Sequence, residues 1–247
     1  MTADRRTRLW SLVVEHVQGR PVAVEHVCAA VMSATRVDGA TVTVLGTGFR
    51  ETVYASDDVA SDLAELTMTL GEGPAADAVA GAPELVADLT APECLVRWPV
   101  FAPAALRTGV RAVFALPLRV GAARIGVLDL YRARPGLLGR EQLADALMLA
   151  DAACALLLDA AQHDRPRPGG RWPERAGLHH PEVHQATGMV TVQLGVSAAV
   201  ALIRLRAYAY SHDRRLRDVA SDVVARRLRF SPGPDLGSDE GGDLTGR

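Results

Sequence analysis

"VHQATGMVTVQLGVS" (residues 183–197) has the spacing of a helix with a glycine at its centre. Pro181 and Glu182 suit a helix start, Gly195 suits its end, and Ser197 can cap a following helix. Glycine at 188 costs a helix about 1 kcal/mol against alanine. On a helical wheel, Val183, Thr187, Val190 and Leu194 share one face, flanked by Ala186. Gln185, Gly188, Met189 and Val192 fall on the far side. The glycine therefore does not admit a neighbouring core helix. It predicts a shallow outer surface where something from outside the domain comes close to the backbone.

The same pattern continues downstream. A second helix is predicted over 197–211, with Ala198, Ala201, Leu202, Leu205 and Ala209 on the seam. Ile203, Ala207 and Tyr210 point outward, bordered by Arg204 and Arg206. A third, over 216–229, turns Leu216, Val219, Ala220 and Val223 inward and leaves Arg217, Arg226 and Arg229 outside or on the flanks. Residues 178–230 carry eight Arg against four acids, a net of +4, whereas 231–247 carry four acids against one Arg, a net of −3. A basic helical module beside an acidic, glycine-rich tail permits nucleic-acid contact. Aromatic and guanidinium planes with small residues between them are the parts that bind splayed single-stranded bases and phosphates.

Upstream, "QHDRPRPGGRWPERAG" (162–177) holds three prolines and three glycines and reads as a linker. The domains are thus predicted as 1–161, linker 162–177, three-helix module 178–230 and disordered tail 231–247. Within the first domain, helices are predicted over 4–18, 22–35, 57–71, 73–81, 98–109 and 139–161. Strands are predicted over 40–45, 51–56, 84–89, 111–120 and 124–132. This order calls for an antiparallel sheet with helices against it, an α+β chain overall.

The composition is consistent with that plan. Apolar residues make up 49% of 247, but aromatics only 4%, so the core must be built from Ala, Val and Leu. All 27 basic residues are Arg, as a GC-rich coding bias would give, and the formal net charge is −2. Cys28, Cys94 and Cys154 are widely spaced among apolar neighbours and read as buried free thiols. The N-terminus lacks an apolar leader, and no segment approaches 18 uninterrupted apolar residues, so a cytoplasmic protein is expected.

The first domain resembles a GAF domain over about residues 20–160. The likeness is carried by "GEGPAADAV" (71–79), "VADLTAPE" (86–93), "RWPVFAPAALRTGVRAVFALPL" (97–118) and "RIGVLDLYRARPGLL" (124–138). It implies a small-ligand sensor and dimerisation module with a six-stranded or similar sheet. Phe101, Phe114, Leu116, Leu128 and Leu130 are candidate pocket walls, with ordinary core as the competing role. Beyond an unidentified small ligand there, no cofactor is expected. Cys94 has no His or Arg constellation around it that would favour a covalent bilin.

The C-terminal module resembles an ANTAR domain. Gln185-Ala186-x-Gly188, Ser197, Ala201, Leu205-Arg206, Ala209, Leu216, Val219-Ala220 and Val223 carry that likeness. It implies an RNA-binding transcription antiterminator that recognises paired stem-loops in nascent mRNA and prevents a terminator hairpin. The implied RNA contacts are Gln185, Ala186, Thr187, Gly188, Met189, Arg204, Arg206 and Tyr210. Many members carry Lys where this chain has Thr187, which shifts the phosphate-pairing load to Arg204 and Arg206. A homodimer is expected, through the long helix 139–161. The fold expected is therefore a GAF-like antiparallel sheet flanked by helices, followed by an all-α three-helix ANTAR bundle.

Other constellations point less far. His179, His180 and His184 cluster, but only Glu182 is near and it points elsewhere, so no metal site is expected. "GTGFRE" (46–51) and "GEGPAA" (71–76) complete no phosphate-binding motif, and no nucleophile motif frames any Ser, so no catalytic residues are expected. Two alternatives stay open. The bundle could read duplex DNA, though "LRDVASDVV" offers few polar residues for it. Or it could bind a protein partner through Met189, Val192 and Ile203.

Overall fold

The computed structural model describes residues 2–45, 50–163 and 181–231. Residues 46–49 of "GTGFRE", most of the expected linker, His179 and His180, and nearly all of the acidic tail lie outside the described residues. Two compact units are present, one ending at His180 and one beginning at Pro181.

The first unit opens with α1 (Thr2–Val17) and α2 (Val24–Thr35), then β1 (Gly39–Leu45) and β2 (Arg50–Ala55). Next come α3 (Asp58–Leu70), α4 (Pro74–Ala80), β3 (Glu84–Val86), α5 (Pro92–Arg97) and α6 (Phe101–Arg107). It closes with β4 (Ala112–Val120), β5 (Ala123–Arg132) and α7 (Arg140–His163). The strands form one antiparallel sheet in the order β2-β1-β5-β4-β3, five strands among the described residues.

Strand alternation sorts the sheet into two faces. Ala40, Val42, Phe114, Leu116, Leu118, Leu128 and Leu130 form the larger core with Leu9 and Val13 of α1, Val27 and Val31 of α2, and Leu149 and Ala153 of α7. Register supports this, with Phe114 opposite Leu130 and Leu116 opposite Leu128. On the other face, Val113 and Tyr131 pack with Leu63, Cys94, Trp98 and Phe101, while Ala115 and Val127 pack with Ala75 and Ala78. All three cysteines are buried and free.

This sorting corrects the expected pocket. Phe114, Leu116, Leu128 and Leu130 lie in the core beneath α1, α2 and α7, whereas Phe101 belongs to the opposite face, so the five cannot line one cavity. Phe101 alone of them borders a small cavity against the sheet, together with Thr41, Thr67 and Asp129.

Two local departures have visible causes. The helix predicted over 98–109 is α6 alone, which begins only at Phe101, and the short α5 before it was not predicted. The Glu72 carboxylate accepts from the Val100 and Phe101 amides at 2.8 and 2.6 Å and so starts a new helix at Phe101. Gly73 makes this possible: its φ is +118°, and a side-chain carbon there would lie 2.9 Å from the Phe101 ring. The strand predicted over 84–89 stops at Val86, because Asp88 takes the Thr90 amide into a local turn at 3.0 Å.

The second unit is α8 (Pro181–Leu194), α9 (Ala198–Ser211) and α10 (Leu216–Val224). The axes of α8 and α9 turn by 105° at the Gly195–Ser197 break. The third helix ends five residues earlier than predicted. Arg226 adopts φ +59°, and the Arg227 amide folds back to the Asp222 carbonyl at 2.8 Å. Among the described residues no single helix is long and apolar enough to cross a membrane.

Candidate nucleic-acid interface

The seam of the second unit consists of Val183, Ala186, Thr187 and Val190 from α8, Ala201, Leu205 and Ala209 from α9, and Leu216, Val219, Ala220 and Val223 from α10. Four alanines, Ala186, Ala201, Ala209 and Ala220, let the helices approach closely, as an aromatic-poor sequence requires. Ser197 caps α9, its hydroxyl accepting from the Val200 amide at 3.4 Å. Gly195, at φ +65°, ends α8.

The segment after α10 is tied back to the bundle. The Phe230 amide donates to Gln193 Oε1 at 2.9 Å, and the Phe230 ring meets Tyr208 edge-on at 5.4 Å. Tyr208 stacks on His212 at 3.9 Å. Asp222 accepts from Arg214 at 2.6 Å and from Arg227 at 2.7 Å. Those two bonds hold its carboxyl below the usual carboxylate range and raise Arg214 in return. Arg214 and Arg227 are therefore engaged within the unit, one on either side of α10.

The outer surface is of a different kind. On α8, Gln185, Gly188 and Val192 are exposed at positions three and four apart, Met189 is half-buried, and Val192 is 84% exposed. A side-chain carbon built on Gly188 would meet nothing within 4 Å. The glycine therefore satisfies no packing need inside the unit. On α9, Ile203 and Tyr210 are 61% and 59% exposed, Arg204 and Ala207 are exposed, and Arg206 is half-buried.

Two expected contacts are corrected. Ala186 is fully buried and Thr187 is 2% exposed, its hydroxyl donating to the Val183 carbonyl at 2.7 Å. Both side chains support the seam and present nothing to an outside partner. The wheel itself placed Thr187 on that seam. Of the others assigned to the seam, Leu194 and Leu202 are only partly buried and Ala198 is exposed. The remaining six, Gln185, Gly188, Met189, Arg204, Arg206 and Tyr210, lie on exposed or half-buried positions of α8 and α9. His184 is exposed, and its partial burial lowers its proton affinity below the usual imidazole value. No group of three His, Cys, Asp or Glu able to hold a metal occurs among the described residues.

In the first unit, sequence reasoning missed Asp129 and Arg50. Asp129 sits mid-strand in β5 on the face covered by α3 and α4, bordering two small cavities. The available signal was an acid inside the apolar run "VLDLY".

Comparison with known proteins falls along the same two units. The GAF domain family model matches residues 20–157, and the ANTAR domain model matches residues 174–224. No match was found among curated proteins. Among solved structures, the chain is similar to the GAF domain of a Coxiella burnetii phosphoenolpyruvate-protein phosphotransferase. Identity there is 15% over 66% of this chain and 98% of that one, with a TM-score of 0.48. It is similar also to the GAF domain of an Acinetobacter phosphoenolpyruvate-protein phosphotransferase, at 12% identity over 64% and 96%, with a TM-score of 0.48. A free methionine-R-sulfoxide reductase from Neisseria meningitidis is 17% identical over 64% and 91%, with a TM-score of 0.43. With a sensor-type sheet over more than half its length and a three-helix module behind it, the chain belongs to the GAF domain family and carries an ANTAR domain after it.

Proposed function

We propose that this chain is a transcription antitermination regulator, in which the GAF unit receives a signal and the ANTAR unit grips stem-loops in nascent mRNA. The observation that carries this is the open backbone at Gly188, on a helix that would be more stable with alanine there. Gln185 beside it offers an amide donor and acceptor. Tyr210 offers a ring for a splayed base, and Arg204 and Arg206 offer guanidiniums for phosphates. No covalent chemistry is needed, and catalytic residues are not proposed.

A homodimer presenting two ANTAR units would hold two loops at once. Supporting this, Trp10 and Val14 on α1 and Leu147 on the neighbouring α7 are exposed apolar side chains. The long helix α7 ends at the start of the expected linker, so it is the proposed route by which a signal reaches the RNA-binding unit. The domain limits proposed are 1–161 and 178–230, and a cytoplasmic setting follows from the proposed work on nascent transcripts.

Binding to a tandem stem-loop RNA, its loop-scrambled version and duplex DNA, each at several salt concentrations, tests the proposal. Antiterminator function predicts loop-dependent binding, weakened about tenfold or more by Gly188→Leu and by Arg206→Ala. Loop-independent binding with a full salt slope would reduce the surface to a charged patch. A protein-docking module, using Met189, Val192 and Ile203, would bind neither nucleic acid.

A further inference from the structure

Asp129 is an acid on a sheet face that, Arg50 apart, presents apolar and hydroxyl side chains around it. It is 7% exposed, and its Oδ1 is buried with no hydrogen-bond partner. Arg50, on β2, likewise has a buried and unpartnered Nη1, while its Nη2 donates to the Ala76 carbonyl of α4 at 3.3 Å. A cavity lined by Thr43, Arg50, Thr52, Met68, Val127 and Asp129 lies between them. A second borders Asp129 beside Thr41, Leu63, Thr67 and Phe101. Each has about 10 Å³ of room, enough for one water.

That volume decides the chemistry. Without displacement of α3, the site can exchange water and a proton, but no organic ligand. The groups facing the carboxyl are Thr41 and Thr43 from β1, Arg50 and Thr52 from β2, Leu63, Ala64, Thr67 and Met68 from α3, and Ala75 from α4. Phe101 of α6 and Val113 of β4 complete the surround. Arg50 is the charge among them, and Asp77 of α4 acts on Arg50 in turn. Thr67 cannot donate to the carboxylate, because its hydroxyl already donates to the Leu63 carbonyl at 3.2 Å. Burial pushes the Asp129 carboxyl up to about 7, with Arg50 and the Thr41 hydroxyl opposing the shift.

We propose that Asp129 and Arg50 form a proton-responsive latch beneath α3 and α4. With Asp129 protonated, the two helices close over a carboxyl whose buried oxygen needs no further donor. Loss of that proton to solvent leaves a buried carboxylate oxygen without a donor, which draws water in and loosens the cover. The element that moves is the layer over the GAF sheet, so proton concentration becomes a signal the first unit can register without any bound metabolite.

The test uses the full chain without RNA, so its result is independent of the antitermination proposal. Carboxyl-carbon NMR follows Asp129, and amide hydrogen exchange, corrected for intrinsic pH effects, follows α3 and α4 at pH 6 and pH 8. Asp129 should titrate near neutrality, and those amides should exchange several-fold to about tenfold faster at pH 8, matching the ionised fraction. Asp129→Asn should remove the pH response. Arg50→Met, which deletes the facing cation, should move the Asp129 titration higher still. Titration in the ordinary carboxylate range, or a pH response that persists in Asp129→Asn, would overturn the latch. Should Asp129→Asn fail to fold, an Arg50→Met protein whose Asp129 titration stays put or falls would overturn it equally.

Discussion

Two residues stand against the local preferences of their own elements, and the structure gives each a surrounding. Gly188 has open space where a side chain would go, so helix propensity alone favours replacing it. Gly188→Ala is expected to raise unfolding free energy by up to about 1 kcal/mol in urea denaturation. The same change should lower loop-RNA affinity several-fold, because the methyl group occupies the space that a ligand backbone or base would use. A stabilised protein with unchanged affinity would mean that the open backbone is not a contact. Asp129 opposes its element in the other direction. Its folded-state proton affinity is raised to about 7, above the ordinary carboxylate value. The unfolded chain therefore releases this proton first as pH rises. The carboxyl's contribution to stability is full below the ordinary carboxylate range, falls between there and about pH 7, and is flat above. Each unit of raised affinity corresponds to about 1.4 kcal/mol, an upper bound once water enters the site. Asp129→Asn should flatten the stability profile between pH 4 and pH 7, measured by urea midpoints across that window. Gly188 was legible in the sequence because a glycine is conspicuous in a helical pattern. Asp129 was not, because its neighbours Leu128 and Leu130 drew attention to the other face of the strand.

At the level of elements, side-chain caps decide where helices begin, and some of those caps come from far along the chain. Asp57 is local, and the sequence offers it and Asp58 alike as a cap for α3; the Asp57 Oδ1 accepts from the Ala60 amide at 2.8 Å. Less legible is that the same carboxylate accepts from the Tyr131 hydroxyl at 3.0 Å and from Ser56 at 2.7 Å. It thereby ties α3, the end of β2 and β5 together. Burial, with Asp57 beside it, raises the Tyr131 phenol well above its usual range. Asp57→Ala removes a cap and leaves a largely buried hydroxyl without its acceptor. It is expected to cost about 2 kcal/mol or more, read from the urea midpoint at constant m-value. Asp57→Asn, which keeps the acceptor oxygen, should recover most of that loss. Glu72 shows the limit of reading by periodicity. It is 28 residues from the Val100 amide it accepts from, so nothing in the local pattern over 98–109 marks the start of α6 at Phe101. The early end of α10 is local by contrast, at the left-handed Arg226, whereas the Phe230–Gln193 bond that follows it spans 37 residues.

For the whole molecule, the question is what two copies gain over one. The two-unit order and the helical seam were legible, since the apolar periods of the C-terminal helices are clean and both families leave extended patterns. The wheel separated the packed Ala186 from the open Gly188, but it put Ala198 on the seam beside Ala201, and Ala198 is exposed. On the first unit, α1 packs against α7 through Arg8 on Asp145 at 2.6 Å, with Arg5 bonded to Glu141 and Asp145. This leaves Trp10 and Val14, one helical turn apart, facing outward. If this stripe joins two copies, Trp10→Glu together with Val14→Glu should yield a monomer by analytical ultracentrifugation, because two buried carboxylates would face each other across the symmetric contact. The consequence for RNA then follows from effective concentration. A dimer bound to one loop holds its second ANTAR unit near the other at millimolar-scale concentration, so tandem-loop affinity should fall by about 10²-fold in the monomer. Affinity for an isolated single loop should hardly change, since each ANTAR unit keeps its own surface. A monomeric variant that loses both affinities equally would show that α1 supports the RNA-binding unit directly. A wild-type chain that is monomeric yet still prefers tandem loops would place both loop contacts within one copy.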